Sequence, residues 1–511
     1  MDSPKVEQLT NLVLVMPPQL GLLKGFSTSL LALANYISKN LQDVDVQILD
    51  LSETPLNEVT NELRRSVCPL GRQLVVGVTT TTASYQSALA VAASFKWLYE
   101  SCTVVFGGHH ASADAENVLR HHSELVDFVV VGEGERALAS LLKNQDQPEM
   151  FLTPGLAFLH KENFYQNPGA PLLSPKELDQ LPLTFQDEGL VGTPGKFHHV
   201  TYVSARGCPL RCAFCSVANE KIRSKSVSRV TEDIRELVDR GYMKIAIEDN
   251  FFAHSPTRTR ELCTALTSLR EAGVEFTWDC QTRVESLARA GTVSLLERAG
   301  CEAVYIGVES LNGDQLLYLN KTSHPQKYLD QLVGVVVPEL LESSVDCYLN
   351  LQLGLPGETE QHFERTLNYL EGLGALAAKR GKTITIFPQL HVVYPGTFHF
   401  RAGVAEGRFA ADVFESFTEW EAKQTPVITW LGEHFAHGTG GLPEGILSPA
   451  GLRQSTYEVN IDAVFRISNA LKMMERIEGI AVFNYGSHLV TSPKRAAPPA
   501  VTLHNQELAA V

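Results

Sequence analysis

The run Arg206-Gly-Cys-Pro-Leu-Arg-Cys-Ala-Phe-Cys215 sets three thiols, Cys208, Cys212 and Cys215, in a C-x3-C-x2-C spacing. Thiolates are the soft ligands that multi-iron centres take. Three of them can hold three irons of a four-iron cluster and leave the fourth open, whereas a cluster that only carries electrons usually has four thiolate ligands. An open iron is a place for chemistry, so the loop points to an enzyme. Cysteine is also a common buried hydrophobe. Here, though, the same run carries a glycine, a proline, two arginines and a phenylalanine, which describes a polar loop leaving the strand-like His198-His-Val-Thr-Tyr-Val203.

The segment that follows alternates helix and strand with short connections. Helical periodicity covers 228–242, 257–273, 292–300, 325–344 and 360–380, and strand-like runs cover 244–248, 275–281, 303–308, 345–353 and 383–387 continuing toward Val393. With the strand before the cysteine loop, this predicts six strands and five intervening helices over 196–400. Such alternation implies a parallel sheet with right-handed crossovers, curled into a partial (β/α)6 barrel whose functional groups lie at the strands' carboxyl ends. Polar residues collect there: Glu248-Asp249-Asn250, Gln281-Thr-Arg283, Glu309-Ser310, Gly354-Leu-Pro-Gly-Glu-Thr359 and Tyr394-Pro-Gly-Thr397. Each is also ordinary turn or helix-start chemistry. Their shared rim with the cysteine loop is the stronger argument.

The cysteine motif resembles that of the radical S-adenosylmethionine (SAM) superfamily. The resemblance implies a [4Fe–4S] cluster whose open iron is chelated by SAM, and one-electron reduction of the sulfonium to a 5′-deoxyadenosyl radical. It also implies an aromatic contact to adenine from Phe214 and a contact to the SAM amino group from Glu248 or Asp249. Arg283 and Glu309 would meet the carboxylate and ribose, and Gly354 would lie beside the adenine. A guanidinium suits a carboxylate through paired hydrogen bonds.

Residues 1–145 form a second unit. Apolar runs at 11–16, 44–49, 74–78, 103–106 and 127–131 are separated by helical stretches at 26–40 and 84–99, and end in Thr79-Thr80, Gly107-Gly108 and Gly132-Glu133. Small residues at strand carboxyl ends make the crevice in which open α/β sheets bind ligands. This half resembles the Rossmann-like cobalamin-binding domain that precedes many radical SAM barrels, which implies that those six residues flank cobalamin. The stretch Met16-Pro-Pro-Gln-Leu-Gly-Leu-Leu-Lys24 departs from the D-x-H-x-x-G pattern that supplies an axial histidine, so cobalamin without histidine ligation is expected, or a domain that has lost the cofactor. Adjacent strand side chains point opposite ways, which favours a loop role over metal ligation for His109 and His110.

Residues 146–195 read as a connector with a short strand at 155–158. Residues 401–490 read as a small, mostly helical cap, with helices at 409–424 and 457–478, and 491–511 as a disordered tail. Trp430, His434, Phe435 and His437 are either channel lining or simple packing.

The whole chain, 511 residues, 44% hydrophobic and 20% charged, has the composition of a soluble globular protein. No run approaches the ~18 apolar residues of a membrane span. Nine cysteines, an odd number with no export signal visible, argue against a disulfide framework and for a cytoplasmic location. A formal charge of −15 without a long basic run makes nucleic acid an unlikely substrate. The expected partners are a small-molecule substrate and an electron donor such as flavodoxin or ferredoxin. The expected activity is cobalamin-dependent C-methylation of a specialised metabolite. Radical cyclisation or ring rearrangement without methyl transfer, and a non-catalytic cobalamin or cluster sensor, are the alternatives.

Overall fold

The structure is a computed structural model and describes residues 10–18, 28–68, 73–145, 147–183, 200–408, 410–415, 461–484 and 487–490. Seven strands build the first sheet: β1 (Thr10–Met16), β2 (Val44–Asp50), β3 (Gln73–Thr79), β4 (Thr103–Gly107), β5 (Phe128–Val130), β6 (Leu156–His160) and β7 (Asn163–Gln166). Their order is β2-β1-β3-β4-β5-β6-β7. The first five are parallel, and β6 and β7 add antiparallel edges. The short strand expected in the connector therefore belongs to this sheet.

Both faces are covered, which is why these strands read as unbroken apolar runs. Along β1, Val13 and Val15 pack with the helix Tyr85–Leu98, while Leu12 and Leu14 pack with the helices Thr28–Asn40 and Gly134–Lys143. The sheet reverses between β1 and β3, because β2 lies on one side of β1 and β3 on the other. A crevice opens at such a switch point.

The second sheet contains the six expected parallel strands: β8 (Val200–Tyr202), β11 (Lys244–Ile247), β12 (Thr277–Thr282), β13 (Cys301–Glu309), β14 (Asp346–Leu353) and β15 (Ile384–Leu390). Between β8 and β11, two short antiparallel strands, β9 (Ala205–Arg206) and β10 (Arg223–Ser224), pinch the base of the cysteine loop. The outer faces of Tyr202, Ile245, Trp278, Val304, Leu349 and Ile386 pack into one core with the crossover helices. The buried Trp278 indole donates to the Ala299 carbonyl at 2.8 Å. By strand alternation, Asp279, Gln281, Tyr305, Tyr348 and Phe387 face the other way, into the barrel. The expected helix over 325–344 holds a π turn at Leu332–Val336. Pro338 cannot donate to the Gly334 carbonyl and would crowd it, and a widened turn accommodates both effects.

The carboxyl-terminal part corrects one expectation. The helix Ile461–Met474 is present, but β16 (Ile480–Asn484) pairs in parallel with β15, and β17 (Ser487–Val490) returns antiparallel to β16. Besides the helix, then, this part of the expected mostly helical cap contributes two strands that extend the barrel sheet. Ile480 and Val482 are buried in the barrel core and Ala481 between them is buried too, so the pairing follows from the unbroken apolar run Ile480–Phe483. Most of the expected 409–424 helix, the Trp430–His437 cluster and the 491–511 tail lie outside the described residues. Asp412 to Glu415 form turns.

Candidate active site

The cysteine loop is held open by backbone contacts. Glu220 N donates to Cys208 O at 2.7 Å, Asn219 N to Leu210 O at 2.6 Å, and Ala213 N to Leu319 O at 2.9 Å. Gly207 has φ of 86°, and a Cβ there would fall 2.5 Å from the Lys221 carbonyl oxygen, so only glycine lets the two arms of the loop approach this closely. All three cysteines are free, Cys208 buried and the other two half-buried. Burial pushes the Cys208 thiol up and that of Cys215 to about 11. Binding iron therefore requires that protons leave with it. The half-buried Phe214 lies between the last two cysteines.

The strand ends around this loop divide into two groups. Glu248 and Asn250 face a cavity of about 1240 Å³. Asp249, the alternative to Glu248, is committed to the protein. Buried, it accepts from Ser204 N at 2.7 Å, Ala205 N at 2.8 Å and Ser204 Oγ at 2.6 Å. It fixes the direction in which the chain leaves β8 toward the cysteines. Arg283 also differs from the simple carboxylate clamp. Its guanidinium bonds Glu285 at 3.0 and 3.2 Å and the Lys321 carbonyl, and Nη1 lies 3.6 Å from Cys212 Sγ. A guanidinium has five N–H groups, so at most one remains for a cofactor.

Glu309 sits at a β-bulge with φ of 69°, its carboxylate bonded by Lys321 Nζ at 3.0 Å and Gln352 Nε2 at 2.9 Å. The chain continues to His391, whose Nδ1 lies 2.7 Å from Gln352 Oε1. An amide oxygen only accepts, so Nδ1 donates and Nε2 keeps its lone pair. By the same logic His399 Nε2 donates to the Tyr318 carbonyl, and Nδ1 keeps its own. Both lone pairs are buried without a partner among the described residues, and His399 N bonds the Ala213 carbonyl inside the cysteine loop. Such orphaned acceptors fit a ligand carrying N–H donors, as an adenine does. Gly354, with φ of 79°, donates its N–H to Glu358 at 2.7 Å and shapes the neighbouring turn. His391, which follows the apolar strand β15 as Glu248 follows β11, was not singled out from the sequence.

In the first sheet, Thr80 is fully buried. Its Oγ1 donates to the Gly107 carbonyl at 2.7 Å and accepts from Ala111 N at 3.0 Å. Gly108 has φ of 90°, and a Cβ there would meet Thr80 O at 2.5 Å. A Cβ on Gly132 would meet no protein atom within 4 Å. Gly108 therefore lets the two strand ends close up, and with Gly107 and Gly132 it forms a cradle of backbone on the cavity wall. His109 and His110 begin a short helix, His109–Ala113, a correction to the loop expected there. His109 faces the cavity. Glu133 also lines the cavity, and it pairs with Arg223 and with Arg206 at 3.3 Å, while Arg206 bonds Glu135 at 2.8 Å. Charge between two motifs was visible in sequence, but its partners were not.

The decisive relationship is that one cavity joins both sets. Its walls include Thr79, Thr80, Gly107, Gly108 and Gly132 from the first sheet and Val203, Ser204, Gly207, Ser216, Glu248 and Asn250 from the barrel. Residues 26–142 match the B12 binding domain family, and residues 202–370 match the radical SAM superfamily. The chain belongs to the cobalamin-binding radical SAM enzymes. Its cofactors are a [4Fe–4S] cluster, SAM and cobalamin.

Among relatives of this radical SAM enzyme is an uncharacterised methyltransferase of Pyrococcus horikoshii, 26% identical over 382 residues, covering 72% of this chain and 79% of the relative. A hopanoid C-3 methylase of Methylococcus capsulatus is 28% identical over 249 residues, 47% of this chain and 46% of the methylase. The radical SAM methyltransferase TsrM of Kitasatospora setae, solved with cobalamin and a [4Fe–4S] cluster bound, superposes with a TM-score of 0.61 at 16% identity, covering 78% of each chain. That likeness is one of fold. No described helix of this radical SAM enzyme is long and apolar enough to cross a membrane.

Proposed function

We propose that this enzyme methylates an unactivated carbon of a small specialised metabolite, receiving electrons from a flavodoxin- or ferredoxin-like donor. The observation that supports it best is the single cavity shared by the glycine cradle and the barrel rim. When bound, the cluster and SAM supply a hydrogen-abstracting radical, and cobalamin supplies the methyl group.

The protein's own residues bind and orient. Cys208, Cys212 and Cys215 hold the cluster, with Arg283 donating toward Cys212. An N–H···S contact adds positive potential beside the sulfur, and such contacts tune a cluster's potential. Glu248 takes the SAM amino group, Phe214 and Gly354 flank the adenine, and the His391 and His399 lone pairs accept from its amine. Glu309 acts through Gln352 and Lys321 as a positioning residue. Thr79, Thr80, Gly107, Gly108 and Gly132 border the cobalamin, and Glu133 braces that border against Arg206 and Arg223.

Tyr305, Tyr348 and Phe387 supply the substrate wall. Tyr305 stacks on Tyr348 with centroids 4.7 Å apart and meets Phe387 edge-on at 6.3 Å. An aromatic wall beside Asp279 and Gln281 suits a substrate with a flat apolar face and a polar edge.

The test is anaerobic turnover with reconstituted cluster, cobalamin, SAM and reductant. Formation of both 5′-deoxyadenosine and S-adenosylhomocysteine is expected. Deoxyadenosine alone overturns methyl transfer in favour of rearrangement, and neither product from protein with an intact cluster overturns the catalytic reading.

A further inference from the structure

Beside the helix His109–Ala113, whose His109 and Ser112 line the cavity, three potential metal ligands converge. We propose that His110, Asp114 and Glu415 form a binding site for one first-row divalent metal ion, separate from the cluster. One ligand atom from each lies within 4.8 Å of the other two. His110 is 1% exposed, and its Nε2 has no partner among the described residues. Asp114 is 9% exposed, and its Oδ2 is likewise unpartnered. The Glu415 side chain is fully buried.

The remaining atoms of these groups are already oriented. His110 Nδ1 lies 3.1 Å from Thr82 Oγ1, which leaves Nε2 as the lone-pair nitrogen when the hydroxyl accepts. Asn117 Nδ2 donates to Asp114 Oδ1 at 2.7 Å; Tyr85 Oη donates to Glu415 Oε2 at 2.8 Å and reaches Oε1 at 3.0 Å, and Oε2 also faces His122 Nε2 at 2.8 Å. Partners bonded behind each ligand are what hold metal-binding side chains in place. Two carboxylates buried this close together repel each other, and a divalent ion between them would offset that repulsion. One imidazole with two carboxylates suits zinc, manganese or ferrous iron better than calcium or magnesium. Ions of this kind bind such ligands at about 2.0–2.2 Å, so the three atoms close in modestly on loading.

The site has a structural consequence. Glu415 comes from the segment after the barrel, whereas His110 and Asp114 come from the cobalamin-binding domain. Asn117 also bonds Ala411 O at 3.0 Å, and Phe414 meets His110 edge-on at 5.6 Å. The ion would staple this segment to the helix whose other face, through His109 and Ser112, lines the cavity.

The probe is zinc added to chelator-treated full-length protein with its cluster intact. Zinc K-edge absorption is expected to show one zinc per chain with only nitrogen and oxygen neighbours at about 2.0–2.1 Å. Sulfur neighbours at about 2.3 Å would place zinc on cysteine and overturn the assignment. In competition with a chromophoric chelator, Asp114→Asn is expected to weaken zinc at least tenfold, and equal affinity overturns the proposal. Should that variant misfold, Glu415→Gln gives the same comparison. Without metal, Asp114→Asn should melt no lower than the parent, while in saturating zinc only the parent gains. A parent that takes up no zinc at a nitrogen and oxygen site overturns the site outright.

Discussion

Arg206, two residues before the first cluster cysteine, places Nη1 2.8 Å from Glu135 Oε1 on the first turn of a helix in the other domain. The pair is largely buried, with side-chain exposures of 22% and 5%. It ties the base of the cluster loop to the loop bordering the proposed cobalamin cradle. Arg206 also faces Glu133, which in turn holds Arg223 across the β9–β10 pinch. This charge cluster is a direct link between the two units beside the cavity that they share.

Replacing Glu135 with Gln leaves Arg206 partly uncompensated in a buried position. Glu133 still faces it, so the cost should be about 1–3 kcal/mol, read by denaturant unfolding of the cluster-loaded protein. Cobalamin affinity should fall in the same variant. Unchanged stability and affinity would show that the pair does not couple the domains.

Gly108→Ala should damage the cradle from within. The new Cβ meets the Thr80 carbonyl oxygen at 2.5 Å on a backbone with φ of 90°, and a residue held in that region costs on the order of 1–3 kcal/mol before the clash is counted. Melting temperature and cobalamin retention on a desalting column should both drop. The cluster's visible absorption should persist, because the atoms that the new Cβ meets, in Thr79 and Thr80, belong to the first domain.

Glu248 and Asp249 are adjacent but should fail differently. Glu248→Gln, exposed to the cavity, should leave stability unchanged and raise the Kd for SAM about tenfold, equivalent to ~1.4 kcal/mol. Asp249→Asn should instead destabilise by about 1–3 kcal/mol, because it cannot accept from all three donors at Ser204 and Ala205. Isothermal titration alongside thermal unfolding separates the two outcomes.

Asp279 offers a pH test. Burial, reinforced by the Glu302 and Glu248 charges, raises its carboxyl to about 7 from an ordinary value of 3.8. The folded state therefore holds a proton that the unfolded chain has released, and stability falls as pH rises from about 4 to about 7. Asp279→Asn removes this contribution, so it should raise the melting temperature more at pH 8 than at pH 4. An equal effect at both values would show that Asp279 titrates normally.

The extent to which the site was legible in sequence follows from the range of the forces involved. The Cys208, Cys212 and Cys215 spacing is a local chemical fact, and the strand runs of β1, β3 and β4 are local apolar patterns, so motif and elements could be read along the chain. Glu248 and Gly108, read from the sequence as strand-end residues, both line the shared cavity. The partners of Asp249, Arg283 and Glu309 could not be found, because a carboxylate or guanidinium at a rim bonds whatever the fold brings within about 3 Å. That turned Asp249 into a brace for the loop after β8 and aimed Arg283 at Cys212. The strand at Ile480–Asn484 was missed for a related reason: its partner, β15, lies some ninety residues earlier in the chain.

By itself, then, the sequence determined the three-cysteine loop, two α/β units and the polar and glycine-rich strand ends that rim them, since each depends on spacing and periodicity within short windows. Only the tertiary structure decided that the Gly107–Gly108 cradle and the Glu248 rim open into one cavity, and that Arg206 and Glu133 bolt its two halves together. Those are distances between residues far apart in the chain, set by how the sheets pack and not by any local preference.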